Sequence, residues 1–212
     1  MKRMYAIAAA VLIAFGAAAE KGPDMPAYDI LAEDGRAEIR LYAPQIVAEV
    51  TVKAGSLSGA ASEGFRPLAN YIFGANTPRQ KIEMTSPVTV APKGQKIAMT
   101  APVTAAPADA GGDYVVHFLM PPEWTLDTLP APSNPAIVLK EMPARTVAAL
   151  RYNGPDTASR RQKVEADLRE FVAQQGFRGA GAAEWAGYDS PMVPFFLRRY
   201  EIIIPLPTAN KE

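Results

Sequence analysis

The sequence predicts an α+β domain: a curved antiparallel sheet or barrel with two helices packed against it. Three observations predict it. Short segments of alternating apolar and polar residues recur along the chain, stopped by many of its 20 prolines and by Gly-containing turns. Two longer segments instead carry apolar residues at helical spacing. The order of elements then repeats, with a helix set among strands in each half, so the chain reads as two versions of one unit.

In chain order, residues 28–31 and 37–42 flank Asp34-Gly35, a hairpin turn signal. Residues 46–52 (IVAEVTV) read as a third strand. The first helix spans about residues 57–73, where Phe65, Leu68, Ala69 and Ile72 share one face. Pro67 is an awkward fit, since its ring meets the carbonyl of Glu63; the helix is kinked there or begins near Gly64. Residues 114–120 (YVVHFLM) form the most strand-like run and stop at Pro121-Pro122. Residues 137–141 and 146–152 read as two more strands. The second helix has Asp156 or Thr157 as its cap, Gly176 as its end, and Val164, Leu168, Phe171 and Val172 as its stripe. Residues 185–190 and a final strand, 199–206, complete the chain.

Between these elements one phrase occurs twice. Residues 81–89 (KIEMTSPVT) return as residues 96–104 (KIAMTAPVT), separated by VAPKGQ. Each copy alternates with a two-residue period, so the pair reads as a hairpin of two half-buried strands. Met84 and Met99 then have two readings, an adaptable apolar pocket or ordinary core filling, and the barrel core is the simpler one.

Composition removes much of the enzyme menu. There is no cysteine, which excludes disulfides, thiolate metal sites and cysteine nucleophiles. A single histidine, His117, excludes multi-histidine zinc sites and most triads. His117 alternates against Val116, Phe118 and Met120 and so reads as a surface residue. Lys+Arg and Asp+Glu balance at 22 each, with no basic patch, so no nucleic-acid partner is expected. No Gly-rich phosphate loop or nucleophile elbow occurs, and no catalytic or metal-ligating set is assigned.

The N-terminus has the three parts of a secretory signal. Lys2 and Arg3 precede an apolar run, and Ala17-Ala18-Ala19 supplies a small-residue cleavage site. The expected organisation is a signal peptide at 1–19, a linker at 20–27, a domain at 28–207 and a tail at 208–212. The mature chain is expected to be exported to the periplasm, with no stable membrane span.

Several separated motifs resemble the SOUL/heme-binding protein family. Phe65-Arg66-Pro67-Leu68 with residues 71–76 (YIFGAN) resembles its first helix, and residues 81–88 its KI-x-MT-x-PV signature. Phe118-Leu119-Met120-Pro121 resembles its F-x-x-P strand end. Residues 186–191 (AGYDSP) with Arg198-Arg199-Tyr200-Glu201 are similar to its C-terminal element. The resemblance covers residues 28–206 and implies a distorted antiparallel β-barrel with two flanking helices, built as a pseudo-twofold repeat. It also implies a binding protein for heme or a related tetrapyrrole, held non-covalently in an apolar cleft. One wall would be Phe65, Leu68, Ala69 and Ile72; the other would be residues 188–193, including Tyr188 and Met192. Arg66 or Arg198 would pair with the propionates. The chain departs from the family pattern at Ser62 and Asn70, where some members carry basic residues, and at Tyr200, which replaces an Asn. Its second signature copy is also extra. Two other readings stand beside this one. One is an enzyme on the same scaffold, hydrolase or tetrapyrrole-modifying, using a carboxylate such as Glu83 or Glu201 with a raised pKa. The other is a binding module for a different apolar small molecule or for a protein partner.

Overall fold

The computed structural model describes residues 25–78, 94–108, 113–189 and 192–207. Nine of its strands form one curled antiparallel sheet. They are β1 (Tyr28–Asp34), β2 (Ala37–Tyr42), β3 (Gln45–Lys53), β5 (Val103–Pro107), β6 (Asp113–Leu119), β8 (Ile137–Met142), β9 (Arg145–Asn153), β10 (Glu184–Gly187) and β11 (Arg199–Pro205). Two-residue strands β4 (Asn76–Thr77) and β7 (Ala131–Pro132) pair separately. The helices are α1 (Leu57–Ile72) and α2 (Ala158–Gln174).

The sheet order is β1-β2-β9-β11-β10-β5-β6-β3-β8. The unit β3-α1-β5-β6 occupies the positions 5-6-3, and β9-α2-β10-β11 occupies 9-11-10, so β2-β9-β11-β10 mirrors β8-β3-β6-β5 about the β5–β10 pair and β1 is an extra strand at one end. Each half also lends a strand to the other: β2 pairs with β9, and β8 pairs with β3. That is the pseudo-twofold repeat expected from the sequence. α1 packs on β3, β5 and β6, and α2 on β9 and β11.

Strand alternation then divides the side chains into two sets. Toward α1 lie Ala48, Val50, Val116 and Phe118 with Leu68 and Ile72; toward α2 lie Tyr152, Tyr200 and Ile202 with Leu168 and Phe171. Away from both helices, Tyr42, Val147, Ala149, Ala186 and Ile203 form a third cluster.

α1 starts at Leu57, not near Gly64. Ser56 stands in extended conformation and its hydroxyl accepts the Gly59 N–H at 3.2 Å, which fixes the start. Pro67 is accommodated inside the helix, where Leu68, Ala69, Tyr71 and Ile72 are buried and offset the lost backbone bond. Gly64 is where α1 meets β6. A Cβ there would stand 2.6 Å from Val116 Cβ and Cγ2. Gly64→Ala is therefore expected to destabilise the fold by about 1–3 kcal/mol through overpacking, despite alanine's better helix propensity. Denaturant unfolding checks this, and Val116→Ala in the same chain should recover part of the loss.

α2 follows the sequence closely. Thr157 caps it by accepting the Arg160 N–H at 3.2 Å, and Val164, Leu168, Phe171 and Val172 are its buried residues. The β1–β2 turn falls one residue later than expected, at Gly35-Arg36, with Gly35 at φ 60°. A register shift between Ile30 and Ala32 places an extra residue, Leu31, in β1.

The doubled stretch departs from its expected form. The first copy, with Met84, lies outside the described residues. The second enters the sheet only at Val103, because what precedes it is tied to the end of α1 instead of to a strand. Asn76 Nδ2 donates to the carbonyls of Tyr71 (2.8 Å) and Gln95 (2.7 Å), and its Oδ1 accepts the Gln95 N–H at 2.8 Å. The Ile97 N–H reaches the Ile72 carbonyl at 2.8 Å, and the Thr100 hydroxyl donates to the Leu119 carbonyl. Ile97, Thr100 and Ala101 are consequently buried, whereas Met99 is 40% exposed and fills no core.

Candidate functional site

A groove of about 610 Å³ runs along α1 over the β5–β10 junction. Its α1 wall is the stripe Ser58, Ala61, Ser62, Phe65, Ala69 and Phe73. Its floor and far wall are Val103 of β5, Trp185 and Gly187 of β10, and Tyr200 of β11. Arg66, Asn70, Asp156, Asp189 and Arg198 complete the lining with polar groups. The space sits where the two halves of the pseudo-repeat meet, and Trp185 packs against the cores of both.

The floor is aromatic. Trp185 and Tyr200 rings lie 5.6 Å apart between centroids, and Tyr200 stacks on Tyr152 at 5.5 Å. Phe65 stands edge-on to Phe118 at 5.3 Å, so its ring joins the core on one side and the groove on the other. The Tyr152 hydroxyl donates to Asp156 Oδ1 at 2.7 Å, and Arg161 Nη1 donates to Asp156 Oδ2 at 2.7 Å. Burial and the Asp156 contact push the Tyr152 hydroxyl well above the usual phenol range, so it stays protonated. Among the described residues the buried Trp185 indole N–H meets no acceptor at full hydrogen-bond geometry, though it lies near enough to the Tyr152 hydroxyl to oppose slightly the rise in its pKa.

The structure distributes the expected ligand-contacting residues unevenly. Phe65, Arg66, Ala69 and Arg198 all line the groove. Leu68 and Ile72 do not: they are 0% and 1% exposed, turned onto the sheet. The groove takes a neighbouring stripe of α1, whose Ser and Ala residues carry no apolar periodicity. Tyr188 also lies elsewhere, and strand alternation is the reason. Trp185 and Gly187 face the helices, so Ala186 and Tyr188 face away. Met192 projects from the surface, 89% exposed, and is not a lining residue. Trp185, Tyr200 and Asp156 are among the lining residues that sequence reasoning missed. The aromatic residues in WAGYD and RRYE were the available signal.

Tyr188 belongs to a polar cluster on the far face of the sheet. Arg40 Nη1 and Nη2 donate to Glu201 Oε2 and Oε1 at 2.7 and 3.1 Å, and Arg40 Nε donates to Glu38 at 2.7 Å. Arg199 Nη2 donates to Glu201 Oε1 at 2.6 Å, and the Tyr188 hydroxyl donates to its Oε2 at 2.5 Å. The Tyr28 ring lies 4.5 Å from the Arg40 guanidinium carbon. Glu201 is fully buried, and burial alone favours its neutral form. The two arginines and Tyr188 outweigh that and hold its carboxyl below the usual range. That direction is opposite to the raised pKa an enzymatic use of Glu201 would call for, and Glu83 lies outside the described residues. The Arg199–Glu201 pair is buried on its carboxylate side, with Glu201 fully enclosed and Arg199 partly exposed.

His117 is also more buried than expected. It does point away from Val116 and Phe118, yet only 12% of its side chain is exposed. Its Nε2 lies 2.7 Å from Glu49 Oε2, its Nδ1 is 3.3 Å from the Thr104 hydroxyl, and Lys140 also reaches Glu49. Burial lowers the His117 pKa, outweighing the pull of Glu49. The folded state then binds fewer protons than the unfolded chain, in which imidazole titrates near 6.5. Stability should be full above about pH 6.5 and should decline as pH falls below it, a slope that His117→Gln removes. Urea midpoints measured across that range check this.

The curled antiparallel sheet, its two outer helices and the aromatic-floored groove between its halves define an α+β, barrel-like fold. The chain belongs to the SOUL heme-binding protein family, whose model matches residues 23–95 and 90–205. The two matches meet between the signature copies, so each match holds one copy. No curated protein matches the chain. Among solved structures it is similar to the EcmrR C-terminal domain, with TM-score 0.56 and 14% identity, covering 86% of this chain and 99% of that one. It also matches EcmrR in a DNA complex (TM-score 0.57, 14% identity, 82% of this chain), spanning just over half of that longer chain, 57%. A hydrolase from Listeria innocua matches with TM-score 0.53 and 12% identity, over 84% and 94% of the two chains. At these identities the similarity is one of fold.

Proposed function

We propose that the protein binds heme or a related tetrapyrrole in the groove beside α1, and that it does so after export. The observation that carries this is the pairing of an aromatic floor, Trp185 and Tyr200 with rings inclined at 34°, with two lining cations, Arg66 and Arg198. The volume lies within the range of small-molecule sites. Phe65, Ala69, Val103 and Trp185 supply apolar surface on both sides of a planar ring, and its removal from water would provide most of the affinity. Arg66 and Arg198 would face its carboxylates, a geometry suited to guanidinium forks. A bound heme would bring redox and oxygen chemistry; the chain's own part is to shield the ring and orient its acids. The one histidine lies on the other face of the sheet, so axial imidazole ligation does not enter.

Titrating the mature chain with hemin tests this. The expected result is a saturable, broad Soret shift at micromolar hemin, weakened in Arg66→Glu. No shift at micromolar hemin would refute the reading.

A further inference from the structure

Residues 192–197 (MVPFFL) form a loop next to the groove, and it has an unusual surface. Met192 is 89% exposed, Phe195 58%, Phe196 59% and Leu197 61%. Single exposed apolar residues are ordinary, but four within six positions, with no polar side chain between them, are not. The backbone explains why they project. The Leu197 N–H bonds to the Pro194 carbonyl at 2.9 Å, closing a tight turn with Phe195 and Phe196 at its corners. Such corners ordinarily hold Gly, Asn, Asp or Pro, because they point furthest into water. Here they hold two phenyl rings, in edge contact at 5.5 Å between centroids.

The turn is also braced from below. Arg198 Nε donates to the Val193 carbonyl at 2.7 Å, and the Arg198 carbonyl accepts the Gly154 N–H at 3.1 Å. A Cβ built on Gly154 would lie 3.5 Å from Arg160 Nη1 and 3.8 Å from the Phe196 carbonyl, so the Arg160 guanidinium sits at the base of the loop. Among the described residues Arg160 makes no ion pair, and Arg161 is held beside it by Asp156.

We infer that residues 192–197 are a membrane-insertion loop, which seats the protein on an anionic lipid surface with Phe195 and Phe196 in the acyl boundary and Arg160 at the headgroups. A protruding tip of phenyl rings gains little from a rigid polar partner and much from a fluid apolar one. A cationic base beneath it matches a surface of lipid phosphates. No helix among the described residues is long and apolar enough to cross a membrane, so attachment through this loop would be peripheral.

Co-sedimentation of the mature chain with vesicles tests the inference, using phosphatidylcholine alone and phosphatidylcholine mixed with phosphatidylglycerol. Binding is expected to the mixed vesicles, weakened by salt. It should fall by about tenfold or more in Phe195→Ser/Phe196→Ser and by a smaller factor in Arg160→Gln. Phe195 and Phe196 are exposed and Arg160 lies 5.8 Å from the Tyr152 ring centroid, so circular dichroism is recorded on each variant to check that it folds. Phe196→Trp should in addition gain an emission component that acyl-brominated lipid quenches. Three results would each overturn the inference: no binding to anionic vesicles, binding unchanged in the double variant, or a protein dimer that the double variant dissolves.

Discussion

Arg40→Met is expected to lower the unfolding free energy by about 3 kcal/mol, near the lower end of the range for breaking a buried ion pair. The cost comes from what remains. Glu201 is fully buried, and without Arg40 it keeps only Arg199 and Tyr188. Tyr42 also loses the Arg40 Nη1 donor at 3.1 Å, and Tyr28 loses the guanidinium beneath its ring. Arg199 keeps the loss from reaching the top of the range. Arg40→Met with Glu201→Leu should be more stable than Arg40→Met alone, since the stranded charge is then gone. Urea unfolding of the two variants measures both quantities; a loss under about 1 kcal/mol for Arg40→Met would show that the cluster rearranges freely. The pH dependence has a fixed sign. Glu201 is held below its ordinary range, so its contribution is present above about pH 4.3 and is lost as pH falls further, through the folded-state pKa. That window is separate from the His117 window, which opens near neutrality.

Phe65→Ala should have the second-largest effect, and it should show in two measurements. Phe65 packs edge-on against Phe118 in the core and lines the groove with its other face. Truncation should cost about 2–3 kcal/mol of stability, less than for a fully buried phenylalanine because the ring is only partly buried. Hemin affinity should fall about tenfold in the same protein, because the phenyl ring no longer covers the porphyrin face. Phe65→Leu separates the two roles. It keeps most of the core volume, so stability should largely return while binding to a flat ring remains impaired.

The fold was legible where the determinants were local. Val164, Leu168, Phe171 and Val172 announced α2, and Thr157 and Gly176 its ends. The strands followed from alternation and Pro stops. The groove was legible only in part, for two physical reasons. A helix stripe built of Ser58, Ala61 and Ser62 leaves no apolar period, so the sequence pointed to Leu68 and Ile72, which serve the core. Tyr188 was misplaced because one residue of strand register decides its face. The Arg40–Glu201 pair, 161 positions apart, depends on β2, β9 and β11 lying side by side, which no local pattern states. Met99 failed for a related reason: Asn76 and Thr100 anchor its segment to a helix end and a strand end, breaking the alternation that the sequence displays.

The groove between α1 and the β5–β10 junction is the proposed seat of the ligand. The chain has two tryptophans, and they divide the molecule conveniently. Trp185 lines that groove, whereas Trp124 lines a separate cavity of about 430 Å³ walled by Pro44, Pro121 and Pro122. The indole N–H signals of the two residues, followed by NMR as diamagnetic zinc protoporphyrin is added, report on each place at once. The account predicts a saturable ring-current shift of the Trp185 signal with Trp124 unmoved. A shift confined to Trp124, or bound porphyrin with neither signal displaced, would contradict it.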